Sequence, residues 1–196
     1  MNAVPVVQAG PADTPVVAAL VAEAFEPLAV AHWLVPDSSA RQAVLAADMA
    51  ILVEHALEFG HIDMVEDRSA VAVWFRRGVE PVPPPLAYER RLALACGPWS
   101  DRFRILDAVF EAHKPRAPHH HLAFLAVTPQ LQGTGLGSAL LRHHHRYLDR
   151  HRIPAYLEAS SVRSRYLYRR HGYLAGPQFT LPEGPPLWPM WREPIG

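Results

Sequence analysis

The chain has 196 residues and a formal net charge of zero, with 19 Lys plus Arg against 19 Asp plus Glu. A composition that is 49% hydrophobic and 19% charged excludes a disordered chain, and the charge balance argues against attachment to nucleic acid by phosphate neutralisation. One cysteine, Cys96, excludes an intrachain disulfide and with it a small stapled secreted fold. The N-terminal run has no basic segment followed by an apolar one, so no secretory leader is expected. No apolar stretch is long enough to span a membrane. A single cytoplasmic domain over 1–196 is therefore expected, monomeric or homodimeric, without nucleic-acid or membrane partners.

In chain order, Val4 to Gln8 is a short β-rich run. Asp13 as N-cap and Pro15 in the first turn predict a helix to about Phe25, ended by Pro27. The segment Ala29 to Ser39 reads as irregular or a short helix. The stripe Val44, Leu45, Ile51, Leu52, His55 and Phe59 predicts a long helix from Ala40 to Phe59, with Gly60 as a C′ glycine. Strands at 61–66 and 69–76, joined at Asp67 and Arg68, read as a hairpin. The proline-rich stretch Val79 to Pro85 is linker-like, and helices follow over 86–95 and 100–113. The second half then reads strand 120–127, loop 128–135, helix 137–151, strand 155–160 and helix 162–170. Two terminal strands complete it, 173–180 and 186–191. Hairpins together with a crossover predict a mixed sheet.

The most informative segment is Gln132-Gly133-Thr134-Gly135-Leu136-Gly137, between a strand and a helix. Glycines let the backbone turn tightly and bring its amides close to a ligand, and the helix start that follows offers free N–H groups and a positive dipole end. Such a loop is an anion site, most often for phosphate. A nucleotide P-loop requires Gly-Lys-Ser/Thr, whereas this chain has Gly137-Ser138 and no lysine there. A dinucleotide fingerprint requires a third glycine where Ser138 stands. Glu158 lies about where that motif's acid would fall, but only the residues after Ser160 remain to build the rest of a doubly wound sheet.

A third pattern fits. The strand end Leu125-Ala126-Val127-Thr128-Pro129 followed by Gln132-x-x-Gly135-x-Gly137 resembles the coenzyme A loop of the GCN5-related N-acetyltransferases, the GNAT superfamily. The run from Leu157 through Tyr168 to Gly172-Tyr173 resembles the second GNAT signature. Within the superfamily the pattern is most similar to the puromycin N-acetyltransferases. That similarity lies in the tail Leu181 to Pro185 with Trp188 and Met190, in Ala70 to Trp74 and in Val35-Pro36-Asp37. The resemblance implies an α/β (α+β) GNAT fold, a mixed, mostly antiparallel twisted sheet of about six to seven strands flanked by helices. It also implies acetyl-CoA as co-substrate and a small-molecule primary amine as acceptor, of puromycin-like or other antibiotic type, and hence a resistance role. A peptide N-acetyltransferase and a non-catalytic acyl-CoA-binding module are the alternatives.

For the site, the resemblance implies that the loop amides of Gln132, Gly133, Thr134, Gly135, Leu136, Gly137 and Ser138 hold the pyrophosphate. Leu125, Ala126 and Val127 then run beside pantetheine, and one of their amides polarises the thioester carbonyl. Tyr168 takes the general-acid position. Ser164 stands where the family often carries a coenzyme-contacting Asn. Glu158 is the leading general base, with Glu26, His32, His120 and His121 as rivals. Arg163, Arg165, Arg169 and Arg170 either contact the 3′-phosphate or form a solvated face. Trp33, Trp74 and Glu26 are candidate acceptor contacts, sought in segments 26–45 and 80–115 because these lie away from the cofactor motifs. The histidine runs 119–121 and 143–145 predict no metal site. Successive helical residues point about 100° apart, and neither run contains an i, i+4 pair.

Overall fold

The computed structural model describes residues 4–78 and 81–196. Val79 and Glu80 of the proline-rich stretch, and the first three residues of the chain, lie outside them. The chain begins with β1 (Val6–Gln8), α1 (Thr14–Phe25), α2 (Ala29–Leu34) and α3 (Ser38–Phe59). The hairpin β2 (Gly60–Val65) and β3 (Ala70–Arg77) follows, then α4 (Tyr88–Cys96) and α5 (Ser100–His113). The second half contains β4 (His119–Val127), α6 (Leu136–His151), β5 (Ala155–Ala159), α7 (Val162–Arg170), β6 (Leu174–Ala175), β7 (Phe179–Thr180) and β8 (Pro186–Arg192). Among the described residues, no helix is long and apolar enough to cross a membrane.

The strands form one sheet in the order β1-β2-β3-β4-β5-β8-β6, with β7 also on β8. Eight strands take part, more than the six to seven expected, because two-residue strands pair at the β8 edge. Every pairing is antiparallel except β4 with β5. This is the mixed, mostly antiparallel α/β arrangement that the resemblance implies.

Strand β3 shows why the sheet lies at the centre. Its residues from Ala70 to Phe75 are all buried. Successive side chains point to opposite faces, so Val71, Val73 and Phe75 join the core under α1 and α3 while Ala70, Ala72 and Trp74 join the core under α6. Helix α6 carries a polar, histidine-rich run, yet Leu140, Leu141 and Leu148 are fully buried beneath it. Each such leucine contributes roughly 1.5–3 kcal/mol, enough to seat the helix. A further core joins α2 and α3 to α4 and α5.

Gly60 departs from the expectation. It does end α3, but its backbone is extended (φ −137°), so it is no left-handed C′ glycine. Close approach is what demands glycine: a Cβ there would lie 2.1 Å from the Trp74 carbonyl oxygen. Gly60→Ala is expected to lower the melting temperature by roughly 4–12 °C, the equivalent of about 2–3 kcal/mol of overpacking, as thermal unfolding would read.

Candidate active site

Strands β4 and β5 make the site by parting. They pair only at His120↔Ala155 and His121↔Tyr156, after which β4 continues to Val127 without β5 as a neighbour. A bulge helps to bend β4 away. Val73 faces Phe124 and Trp74 faces Leu122, leaving Ala123 as the extra residue. Backbone amides on this side of β4 therefore face a cleft in place of a sheet partner.

One side of that cleft is the glycine loop. Gly133 and Gly135 both have left-handed backbones (φ +86° and +97°), which side-chain-bearing residues rarely adopt. Gly135 is the N-cap of α6 and has no side chain to cap it, so the first-turn amides of Leu136, Gly137 and Ser138 have no partner within the helix. Gln132 donates from Nε2 to the Val127 carbonyl at 3.3 Å, tying the loop to the end of β4. Arg163 of α7 reaches over the loop, with a guanidinium nitrogen 3.9 Å from where a Cβ on Gly133 would stand.

On the other side, His121 Nε2 lies 2.7 Å from Glu158 Oε2 across the last β4–β5 pair, and the two side chains are only 15% and 5% exposed. Burial works to raise the Glu158 pKa, but the adjacent His121, helped by Tyr156, prevails and holds the carboxyl below the usual carboxylate range. Glu158 is thus ionised at neutral pH and orients the imidazole. Tyr168 of α7 lines the same cleft, packs edge-on to Tyr173, and is pushed well above the ordinary phenol range by burial.

The cleft has a volume of about 1500 Å³. Single-ligand pockets run to roughly 300–1,000 Å³, so this one has room for two substrates. Its lining joins Leu125, Val127 and the loop to Glu158 and Tyr168, then continues between α1, α3, α4 and α5. The far end draws on the segments where acceptor contacts were sought.

Several expected site residues are placed elsewhere. Trp74 is fully buried under α6, its ring stacked on His144 at 4.1 Å, and is a core residue rather than an acceptor contact. Trp33 donates from Nε1 to the Pro182 carbonyl at 3.0 Å, packs against Gly184 and takes Arg102 over its ring, so it anchors the C-terminal tail. Glu26 is paired with Arg41 at 2.8 Å. That arginine also donates to the carbonyls of Val35 and Pro36, so the pair secures the turn into α3. Ala126 points into the core on the α1 and α3 side, although its backbone still belongs to the open edge of β4. Thr134 turns its hydroxyl to the Leu131 carbonyl. Ser164 lines the cleft, but it donates to the Ser161 carbonyl and caps α7 together with Ser161. Of the rival bases, only His121 lines the cleft. His32 is exposed on α2, and His120 lies in a buried network with His144 and Asp63. Of the four arginines, Arg163 and Arg170 line the cleft, while Arg165 lies over Trp188.

His61, Asp63 and His144 bring three potential metal-ligand atoms within 4.8 Å of one another, a grouping that the histidine runs alone did not reveal. Sequence spacing also overlooked Asp48, Tyr88 and Asp107, which line the acceptor side. For Asp48 a signal existed, since it is an acid set into the apolar stripe of α3 beside Leu45, Met49 and Leu52.

Comparison with known proteins agrees with this fold. A family model described as the acetyltransferase (GNAT) domain matches residues 103–174, which run from α5 through both motifs. The structure of a histone acetyltransferase HPA2 and related acetyltransferase from Corynebacterium glutamicum is similar over 97% of this chain and 96% of its own. The TM-score is 0.74 and the identity 27%. A polyamine N-acetyltransferase from Drosophila melanogaster (TM-score 0.63, 19% identity, 96% and 99% coverage) shares the fold. So does arylalkylamine N-acetyltransferase 2 from Aedes aegypti (TM-score 0.63, 12% identity, 98% and 99% coverage). Residues 103–174 therefore match the acetyltransferase (GNAT) domain, the chain has the GNAT fold, and it is an enzyme, an N-acetyltransferase.

Proposed function

We propose that the chain transfers the acetyl group of acetyl-CoA to a primary amine of a small molecule. The observation that carries this is the parting of β4 from β5. It sets open backbone amides between an uncapped, glycine-rich helix start and the His121–Glu158 pair. Acetyl-CoA supplies the acyl group as a thioester. The first-turn amides of α6, with Gly133, Gly135 and Arg163, hold its pyrophosphate, and the β4 edge at Leu125 to Val127 aligns its pantetheine arm. An amide on that edge receives the charge that develops on the carbonyl oxygen.

The amine loses a proton as its nitrogen bonds to the acetyl carbon and the carbon–sulfur bond breaks. His121 accepts that proton, and Glu158 stabilises the resulting imidazolium. This refines the direct role expected of Glu158: a carboxyl held below its usual range is a weak base, whereas an imidazole oriented by a carboxylate is a good one. Tyr168 donates a hydrogen bond to the departing sulfur. Burial widens the gap between its phenol and a thiol, so stabilisation of the thiolate fits better than full proton transfer.

An amine acceptor is further supported by structural neighbours named for agmatine, polyamines and arylalkylamines. The antibiotic-type acceptor, puromycin included, is a finer assignment and rests on the sequence similarity of the C-terminal tail, Ala70 to Trp74 and Val35-Pro36-Asp37.

Calorimetric titration with acetyl-CoA, with NAD as control, tests the cofactor side. Saturable acetyl-CoA binding is expected, absent with NAD, and weakened at least about tenfold by Gly135→Trp, which puts a side chain on a left-handed residue at the anion site. Tight NAD binding without acetyl-CoA binding would return the loop to the dinucleotide class.

A further inference from the structure

The acceptor end of the cleft contains two neighbouring acids, one of them buried with an unpartnered oxygen. Asp48 of α3 is 4% exposed, and its Oδ1 is buried without a hydrogen-bond partner among the described residues. Asp107 of α5 accepts at Oδ2 from the Tyr88 hydroxyl of α4 at 2.6 Å. All three line the cleft, among Leu45, Met49, Leu52, Phe103 and Leu106. Among the described residues neither carboxyl forms an ion pair. Arg104 of α5 is engaged with Glu89, Asp101 and Ser100. A buried acceptor without a donor is costly, so Asp48 in its apolar wall, with the more exposed Asp107 carboxylate nearby, describes the imprint of a missing cation.

We propose that the acceptor carries a second basic nitrogen, separated by an apolar spacer from the amine that is acetylated, and that Asp48 with Asp107 binds this nitrogen. The proposal rests on the amine-acetyltransferase reading of the cleft. A neutral hydroxyl could satisfy one oxygen, but a cation also lets both carboxyls ionise together, and charge-assisted hydrogen bonds are about twice as strong as neutral ones. The apolar residues around the pair explain why the spacer carries no polar groups. Burial, with Asp107 nearby, pushes Asp48 up to about 7, so at neutral pH the empty site holds a proton on a large fraction of molecules. Arrival of the cation displaces it.

The test pairs a series of α,ω-diamines with alkylamines of equal chain length, and adds puromycin as an amine lacking a second strongly basic nitrogen. Acetyl transfer is measured as release of free thiol. At the best spacer length kcat/KM is expected to favour the diamine by at least about tenfold, mostly through KM, and this preference should fall towards one in Asp48→Asn. Asp107→Asn serves if the first variant is unstable, and retained acetyl-CoA binding shows that either variant is folded. Calorimetry in buffers of different ionisation enthalpy should show proton release when a diamine binds at pH 7, and none with an alkylamine. Equal kcat/KM for diamine and alkylamine, or a preference unchanged in both variants, would overturn the acidic subsite and leave acetyl transfer standing. Loss of acetyl-CoA binding together with turnover of every amine would overturn the reading beneath it.

Discussion

Glu158→Gln is expected to lower kcat by roughly 10²–10³-fold with acetyl-CoA binding unchanged. Glutamine keeps the size and a hydrogen-bonding oxygen but not the charge. The imidazolium formed when His121 takes the amine proton then has no counter-ion in a nearly closed site, where Glu158 is 5% exposed. His121→Ala should cost about as much. The double variant should cost little more than either alone, because the pair acts as one unit. Steady-state kinetics read the loss. The pH profile of kcat/KM distinguishes catalysis from mere support, since removing the imidazole should flatten the acidic limb. If Glu158 instead served only to hold β5, Glu158→Gln would lower stability without moving that limb. Tyr168→Phe should cost less, roughly 10-fold, if the phenol only solvates the sulfur.

The second large effect concerns stability in acid. His120 and His145 are 6% and 5% exposed, and burial holds each at about 3. Burial also depresses His119 and His144, the latter against the pull of Asp63. In the unfolded chain a histidine takes up its proton near pH 6.5. Between that value and about 3 the unfolded state therefore binds more protons than the folded one, and stability falls as pH drops. By pH 4, His120 and His145 would each have withdrawn about 3 kcal/mol, against a total of roughly 5–15 kcal/mol for a typical domain. Asp48 works in the opposite direction. Its raised carboxyl favours the folded state at low pH, and that contribution is lost as pH rises through about 7. One raised acid does not offset several neutral imidazoles. The melting temperature should hold above pH 7 and decline steeply below about 6, with unfolding near pH 4. His145→Phe, which keeps the ring but not the proton uptake, should move that decline to lower pH, although it surrenders the contact with Tyr173 Oη at 3.0 Å. Thermal melts across pH 4–8 measure both.

The element order was readable from local chemistry. Most second-half elements begin and end within a residue or so of where glycine and proline placed them, because the glycine loop, Pro154 and Gly172 act on their own backbone; the exception is the strand expected over 173–180, which is broken into β6 and β7. The glycine loop was readable for the same reason: an anion site at a helix start needs only contiguous residues. The His121–Glu158 contact is different. The two residues are 37 apart in the chain, and they meet only because β4 and β5 pair at their first positions and then diverge. A bulge accompanies that divergence, and strand register of this kind leaves no mark in hydropathy.

The misplaced acceptor contacts have a similar origin. Trp33, Trp74 and Glu26 have the right chemistry for a pocket, but the same chemistry closes a tail, fills a core or holds a turn. Only packing decides which. Asp48 shows the converse. Its place in an apolar stripe is visible in the sequence, yet the stripe alone does not show whether the acid is paired. Local backbone preference and short-range spacing thus determined the element order, the mixed sheet and the glycine loop, and the resemblance of two motifs supplied the GNAT fold. The tertiary structure decided which distant side chains share the cleft, because burial and long-range pairing are set by the whole sheet and not by any one segment.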